Sequence, residues 1–160
     1  MVNNLLIILL ISCSCRGQKV NNPLQIINAK VDKNRELELN IQITNKSDSN
    51  LIFYIPNLDD ICSNLLQFYI TDKDGNNYNF NNCLGDEQVD EIRITEKNSK
   101  ELQKNQFIKI KYKISLDSFS LKLQRTNIKE IRLVLDYSIT NIVGGKNIYN
   151  QKIESKITSF

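Results

Sequence analysis

Apolar and polar residues alternate along most of the chain from residue 24 onwards. Successive side chains of an extended strand point to opposite faces, so this alternation indicates strands with one buried and one solvated face. Residues 35–44 give the clearest case, because their apolar members all fall on one face of an extended chain. These members are Leu37, Leu39, Ile41 and Ile43.

Several further segments are predicted to be strands. They are residues 51–55, 65–71, 107–116, 131–139 and 149–157. Turn-forming residues separate them, most clearly Asp-Lys-Asp-Gly-Asn-Asn at 72–77 and Gly-Gly at 144–145. Half-solvated strands are typical of antiparallel sheets. The sequence therefore predicts an all-β domain, an antiparallel β-sandwich of about seven to nine strands, in which residues 118–127 form a short helix or a loop.

The N-terminus has the features of an export signal. Residues 5–11 are a continuous apolar run, which is too short to span a bilayer but has the length of a signal-peptide core. The next stretch, Leu10-Ile11-Ser12-Cys13, resembles a bacterial lipobox. This resemblance implies cleavage before Cys13, lipidation of its thiol and acylation of the new N-terminus, and two or more acyl chains anchor a protein stably.

The chain is thereby divided into three parts. Residues 1–12 are the predicted signal peptide, residues 13–23 the lipidated cysteine with a polar tether, and residues 24–160 the β-sandwich domain. We expect a lipid-anchored protein of the cell envelope, and Ser14 after the lipidated cysteine favours the outer over the inner membrane. Two alternatives stay open: the apolar run is a buried first strand, or it is a secretory signal cut near Ser14.

Composition supports the strand prediction and excludes several functions. The chain has 23 Ile, which favours strands, and a single Ala, the best helix former. It has no His, so a Ser-His-Asp triad, a Cys-His dyad and an imidazole metal site are impossible within it. The net charge of +3 is too small for a nucleic-acid footprint. We expect no cofactor and no nucleic-acid partner.

Three short motifs carry a resemblance to the immunoglobulin-like lipoproteins of Gram-negative bacteria. They are Ile-Thr-Asn-Lys-Ser at 43–47, Ile-Thr-Asp-Lys-Asp-Gly-Asn-Asn-Tyr at 70–78 and Leu-Asp-Tyr at 135–137. The resemblance implies an immunoglobulin-like sandwich and no particular activity. Tyr137 is similar to the tyrosine corner of such sandwiches. A similar strand-turn-strand layout occurs in a family of small bacterial proteinase inhibitors.

Two cysteines inside the predicted domain are candidates for a disulfide. An exported protein rarely keeps free thiols, so we expect Cys62 and Cys83 to pair. The bridge would close a loop of about 20 residues and contribute about 3 kcal/mol. Two thiolates without His leave zinc short of ligands, so we expect no metal site. Cys15 is left over, as a free thiol, a second acylation site or half of an intermolecular bridge.

Acidic residues form two candidate groups. The motif at 72–77 resembles a calcium loop, but its glycine comes too early for an EF-hand, and a turn is the favoured interpretation. A disulfide between Cys62 and Cys83 would bring a second group together as an acidic patch or a weak calcium site. Its members are Asp59, Asp60, Asp86 and Glu87, with Asp90 and Glu91 nearby. Solvated loop charges are the favoured interpretation of this group.

Two further sets of residues have a possible binding role. Lys109, Lys111 and Lys113 form a basic strip for phosphates of lipid or nucleic acid or, as we favour, a solvent face or a device that protects an edge strand from aggregation. Six tyrosines would suit a carbohydrate-binding module if they formed an exposed row.

The sequence thus predicts a non-enzymatic, lipid-anchored β-sandwich that binds a protein partner at the envelope. The main alternative is an inhibitor of an exported protease or a toxin-neutralising (immunity) lipoprotein. An enzyme that uses carboxylates alone and a carbohydrate-binding module are weaker alternatives.

Overall fold

Strands dominate the computed structural model, as the alternation predicts. The structure describes residues 22–58, 64–80, 92–120, 123, 125–138, 142–143 and 147–158. Within these residues there are eleven strands, two short 3₁₀ helices at Leu116–Ser118 and Arg125–Asn127, and no α-helix. The strands are β1 (Leu24–Val31), β2 (Glu36–Thr44), β3 (Leu51–Tyr54), β4 (Leu66–Asp72), β5 (Asn77–Asn79), β6 (Ile92–Arg93), β7 (Ser99–Leu102), β8 (Phe107–Ser115), β9 (Ile128–Asp136), β10 (Ile142–Val143) and β11 (Lys152–Ile157).

Sheet I contains three antiparallel strands in the order β1-β2-β8. Strand β2 is central, and its apolar row of four residues predicted above is completely buried. The register is continuous between β2 and β8, from Glu36 opposite Ser115 to Thr44 opposite Phe107. The register between β1 and β2 shifts at Ile27, which lies between the paired residues Ile26 and Asn28. Such a bulge is common on edge strands and disrupts pairing with other chains.

Sheet II contains four antiparallel strands in the order β11-β9-β4-β5. Strands β4 and β5 form a hairpin, so the predicted turn at 72–77 is confirmed. Strand β9 is central and pairs with β4 on one side and with β11 on the other. Two smaller pairs complete the described strands: β3 with β7, which is antiparallel, and β6 with β10, which is parallel.

The inner faces of the two sheets share one apolar core. The Phe68 ring of β4 meets the Tyr112 ring of β8 edge-on, with 5.3 Å between the ring centroids. The sheets also meet where their edge strands β1 and β11 lie side by side. There the Ile26 amide donates to Ser155 Oγ at 3.1 Å, and the Asn22 amide nitrogen donates to the Glu154 carbonyl. We call this contact the β1–β11 seam.

Two details differ from the sequence-based predictions. The described residues contain eleven strands and not seven to nine, because β5, β6, β7 and β10 have only two to four residues each and carry too little alternation to be recognised. One pair, β6 with β10, is parallel. The short helix or loop expected at residues 118–127 is confirmed, because the 3₁₀ helix Arg125–Asn127 lies inside this segment and the other 3₁₀ helix ends at its first residue.

Tyr137 is not a tyrosine corner. A corner tyrosine bonds to backbone only a few residues upstream. The Tyr137 hydroxyl instead donates to the Tyr54 carbonyl, 83 positions away, at 3.0 Å. It therefore ties β3 to the end of β9.

Candidate functional site

The predicted lipidation, disulfide and acidic-patch residues lie outside the described residues, so those predictions stay predictions. They are the lipidation site Cys13, the disulfide pair Cys62 and Cys83, the leftover Cys15, and the acidic patch Asp59, Asp60, Asp86 and Glu87, with Asp90 and Glu91.

Phe80 is the described residue nearest in sequence to Cys83, and Asn64 is the described residue nearest to Cys62. Phe80 follows β5, and its amide donates to the Phe68 carbonyl at 3.1 Å. Strand β5 runs antiparallel to β4, so Phe80 lies towards the end of the hairpin at which β4 begins. The pairing of Cys62 with Cys83 stays a prediction.

A cleft of about 290 Å³ opens where the chain enters sheet I, at a place that we call the entry end. The Thr44 amide donates to the Pro23 carbonyl at 2.8 Å, which joins the start of the domain to the end of β2. Amides and hydroxyls line most of the cleft, together with one lysine. The lining residues are Pro23, Asn45, Lys46, Ser47, Leu51, Ile148, Tyr149, Asn150 and Gln151.

Tyr149 is buried at the base of this cleft. Its ring stacks on Phe53 with 4.7 Å between centroids and meets Tyr137 edge-on at 5.5 Å. Its amide donates to the Ile52 carbonyl, and the Ile52 amide donates to the Asn147 carbonyl, both at 2.9 Å. Burial raises the pKa of the Tyr149 phenol. The base of the cleft is therefore an aromatic group held in place by backbone pairing to β3.

Asn45 fixes the opposite wall. Its side chain is completely buried, and its Nδ2 donates to the carbonyls of Ser49 and Leu102, both at 2.8 Å. Its Oδ1 accepts from the amide and the hydroxyl of Ser47, at 2.9 and 2.8 Å. A buried amide with this many partners holds its loop in one conformation. The cleft thus has a polar wall that is organised before any ligand arrives.

The outward face of sheet I is basic, and we call it the basic face. Lys109, Lys111 and Lys113 of β8 lie on it, which confirms their predicted place on a solvent face. The strand register places Lys30 of β1 on the same face. Lys30 pairs with Glu38 of β2, and Glu38 pairs on its other side with Lys113 of β8. The Lys111 ammonium contacts the Glu38 carboxylate at 2.6 Å and holds its pKa below the ordinary value.

The other exposed residues of sheet I are mostly polar, and the two large apolar exceptions are Phe107 of β8 and the bulge residue Ile27 of β1, which is 49% exposed. Four amide side chains lie between the lysines: Gln25, Asn28, Asn40 and Gln42. Phe107 begins β8 at the entry end and is 51% exposed. The Lys109 ammonium lies over its ring, 5.6 Å from the ring centroid. A large exposed apolar side chain beside several cations is a feature that a solvent face does not require.

The turn at 72–77 is held by its own side chains and needs no ion. Asp72 Oδ1 accepts from the amides of Asp74 and Asn76, at 3.0 and 2.8 Å. Its Oδ2 accepts from the Asn76 side chain and the Tyr78 hydroxyl, both at 2.9 Å. The Asn76 bond leads a set of donors that lower the pKa of Asp72, and Asp72 raises the pKa of Tyr78. The described residues contain no group of three or more Cys, Asp or Glu suited to a metal ion.

The tyrosines do not form an exposed row. All six lie within the described residues, and four of them are buried: Tyr54, Tyr112, Tyr137 and Tyr149. The other two, Tyr69 and Tyr78, are half-buried. The aromatic platform that a carbohydrate-binding module would need is therefore absent from these residues.

No protein-family model matches the sequence, and neither a curated protein nor a solved structure matches it. Its function has to be inferred from its own residues and their arrangement. No helix among the described residues is long and apolar enough to cross a membrane.

Sequence reasoning did not find Asn45, Lys30 or Phe107 as parts of a site, and it singled out Tyr149 only as one of six tyrosines. Asn45 and Lys30 acquire their surroundings through pairing between strands, which a single sequence does not display. The one available signal was Phe107, because it falls on the polar side of the alternation in β8.

Proposed function

We propose that this protein is a lipid-anchored, non-enzymatic envelope protein whose β-sandwich binds a protein partner. The observation that carries the proposal is the lipobox-like Leu10-Ile11-Ser12-Cys13 directly after a signal-length apolar run. The absence of His from the whole sequence excludes catalysis by an imidazole of this chain, which supports a non-enzymatic role. Ser14 favours the outer membrane as the place of the anchor.

We further propose that the domain is an immunoglobulin-like sandwich. In that fold strands A, B and E share one sheet, and G, F, C and C′ share the other. The order β1-β2-β8 corresponds to A-B-E, and the order β11-β9-β4-β5 corresponds to G-F-C-C′. The short strands β3, β6, β7 and β10 would then be additions to this framework.

The cleft at the entry end is the surface that suits a partner best. Its base is a buried aromatic residue, Tyr149, and its Asn45 wall is organised in advance, which lowers the entropy cost of binding. Its amides and Lys46 would accept an extended peptide segment through hydrogen bonds. A segment of an exported protein is therefore the proposed ligand.

The anchor is tested by the intact mass of the protein purified from its own membrane. We expect the mass of residues 13–160 plus acyl chains for the natural chain and for Cys15→Ala. Cys13→Ala should lose the acyl chains and leave the membrane fraction. An unmodified natural chain that still begins at Met1 would refute the proposal and favour a buried first strand.

The partner is tested by crosslinking in intact cells. We expect Lys46→Glu to abolish a crosslinked species that survives in Lys33→Glu, a matched exposed lysine in the loop between β1 and β2. Capture of a hydrolase or a toxin in a tight one-to-one complex would favour the inhibitor or immunity alternative. A crosslinked species indifferent to Lys46 would show that another surface, such as the acidic patch, is used.

A further inference from the structure

We propose that the basic face of sheet I lies against the anionic headgroups of the membrane that holds the anchor. This inference rests on the proposed lipid anchor at Cys13. It adds an orientation: sheet I faces the bilayer, and sheet II faces away from it. The protein is then bound to the membrane at two points, through its lipid anchor and through the basic face of sheet I.

The first support is the contrast in charge between the two sheets. On the outward side of sheet II, three cations each lie within 4 Å of a carboxylate: Lys152 with Asp136 at 3.7 Å, Lys156 with Glu130 at 3.2 Å, and Arg132 with Glu154 at 3.9 Å. The basic face has four lysines and two glutamates, Glu36 and Glu38.

Three of these four lysines lack such a partner within the described part of the chain. The ion pairs among the described residues include Lys111 with Glu38 but none with Lys30, Lys109 or Lys113. Lys30 and Lys113 also act on Glu38 from a longer distance, but the face keeps more lysines than glutamates. A surface of anionic lipid balances this excess, and each lysine near such a surface adds to the attraction. The amides between the lysines can exchange hydrogen bonds with headgroups.

The second support is the place of Phe107. Thr44 pairs with Phe107 and also donates its amide to the Pro23 carbonyl at 2.8 Å. Adjacent strands lie about 4.8 Å apart, so Phe107 and the start of the domain are roughly 10 Å from one another. The tether that leads to the lipid therefore joins the domain at the end of the basic face that carries an exposed aromatic side chain. Phe is among the side chains with which membrane-surface segments enter the boundary between headgroups and acyl chains.

The third support is the length of the tether. Residues 13–23 span at most about 40 Å when fully extended. A domain held this close to the bilayer meets it at a high effective concentration, so weak contacts suffice to orient it. Protection of an edge strand accounts for the lysines of β8 but not for Phe107, because an exposed apolar residue on the same strand promotes association.

Lysine footprinting of the anchored protein tests the orientation. The natural lipidated chain is placed in vesicles of phosphatidylethanolamine, with or without phosphatidylglycerol, and treated with an amine-acylating reagent. We expect phosphatidylglycerol to slow the labelling of Lys30, Lys109 and Lys113 by about fivefold. Labelling of Lys152 and Lys156 on sheet II should not change. Molar salt should remove the protection, because it shortens the Debye length to about 3 Å.

A second reporter uses position 107 itself. The natural chain has no Trp, so Phe107→Trp introduces a single fluorophore at an exposed position. Its emission should shift to the blue in vesicles with phosphatidylglycerol and stay unshifted when Lys109→Gln and Lys113→Gln are added. The matched control, with Lys152→Gln and Lys156→Gln added instead, should keep the shift.

The outcomes separate the two proposals. A chain without acyl groups refutes both the anchor and the orientation. A lipidated chain whose lysines label equally in both kinds of vesicle, with no shift of the indole emission in Phe107→Trp, overturns the orientation and leaves the anchor intact. Slow labelling of these lysines in both kinds of vesicle also overturns the orientation, because another protein or a second copy of the chain then covers the face.

Discussion

Asn45 shows how one buried amide joins segments that are far apart in the sequence. It bonds to the Leu102 carbonyl, 57 positions away, and to the Ser49 carbonyl within its own loop. We expect Asn45→Ala to lower the free energy of unfolding by about 2–4 kcal/mol, because it leaves buried carbonyls without a donor. Urea denaturation measures this loss.

The control for Asn45→Ala is Asn50→Ala. Asn50 lies next to the same loop, and its exposed side chain bonds to Glu101 Oε1 at 3.1 Å. An exposed bond of this kind contributes little, so the change should stay within about 0.5 kcal/mol. Equal losses in the two variants would contradict the role assigned to Asn45.

Asp72 predicts a specific dependence of stability on pH. Its folded-state pKa is lowered by the donors around it, led by the Asn76 side chain. The ionised form therefore stabilises the fold above the unfolded-state pKa of about 3.9, and this contribution is lost as the pH falls through the lowered folded-state pKa. We expect Asp72→Asn to flatten the stability profile in this acidic range, as measured by thermal unfolding against pH.

Asp74→Asn is the control for the pH experiment. Asp74 lies in the same turn, and its side chain is exposed. It bonds to Asp72 through its backbone amide, which the substitution leaves in place. The variant should keep the acidic slope of the natural chain. A slope that Asp74→Asn removes and Asp72→Asn preserves would show that Asp72 is not the carboxylate responsible.

At the scale of elements, the long strands were predictable and the short ones were not. Strands β2 and β8 have nine residues each. Their alternation is long enough to predict both that the segment is a strand and which of its faces is buried. Strands β6 and β10 have two residues each, and their parallel pairing joins Ile92 to Ile142, which are far apart in the sequence. Tertiary context creates such a pair, so local pattern does not reveal it.

The β4–β5 hairpin depends on the conformation of Gly75. Its φ is +87°, which L side chains rarely adopt, and a Cβ built there would have no atom within 4 Å. We expect Gly75→Ala to lower the free energy of unfolding by about 1 kcal/mol through backbone strain alone. Lys73→Ala, at an exposed position of the same turn, should be nearly neutral in the same denaturation experiment. A neutral Gly75→Ala would show that the turn relaxes.

At the scale of the whole molecule, the predicted disulfide between Cys62 and Cys83 can be tested by its effect on stability. We expect reduction, Cys62→Ser and Cys83→Ser each to lower the free energy of unfolding by about 3 kcal/mol. The double variant should lose no more than either single one, because all of them remove the same bond. Cys15→Ser is the control, and a mass that rises by two hydrogens on reduction verifies the bridge. Additive single losses would contradict the pairing.

The candidate surfaces could be predicted only in part. The lysines of β8 were visible as alternation, but Lys30 joins them only through the register of β1 on β2. The cleft was not visible, because Pro23, Asn45 and Tyr149 come from distant parts of the sequence. Both surfaces depend on which strands and loops become neighbours, and a local sequence pattern does not contain this information.

The β1–β11 seam has a consequence for the time course of folding. Its bonds join residues 129 to 132 positions apart, so they close among the longest loops of the chain. Folds dominated by such distant contacts form slowly, in milliseconds to seconds. The edges of β1 and β9 stay open until β11 arrives, and an open edge is where chains aggregate. A chain that is synthesised from its N-terminus is therefore most prone to aggregate after β1 and β9 have formed and before β11 is available to cover their edges.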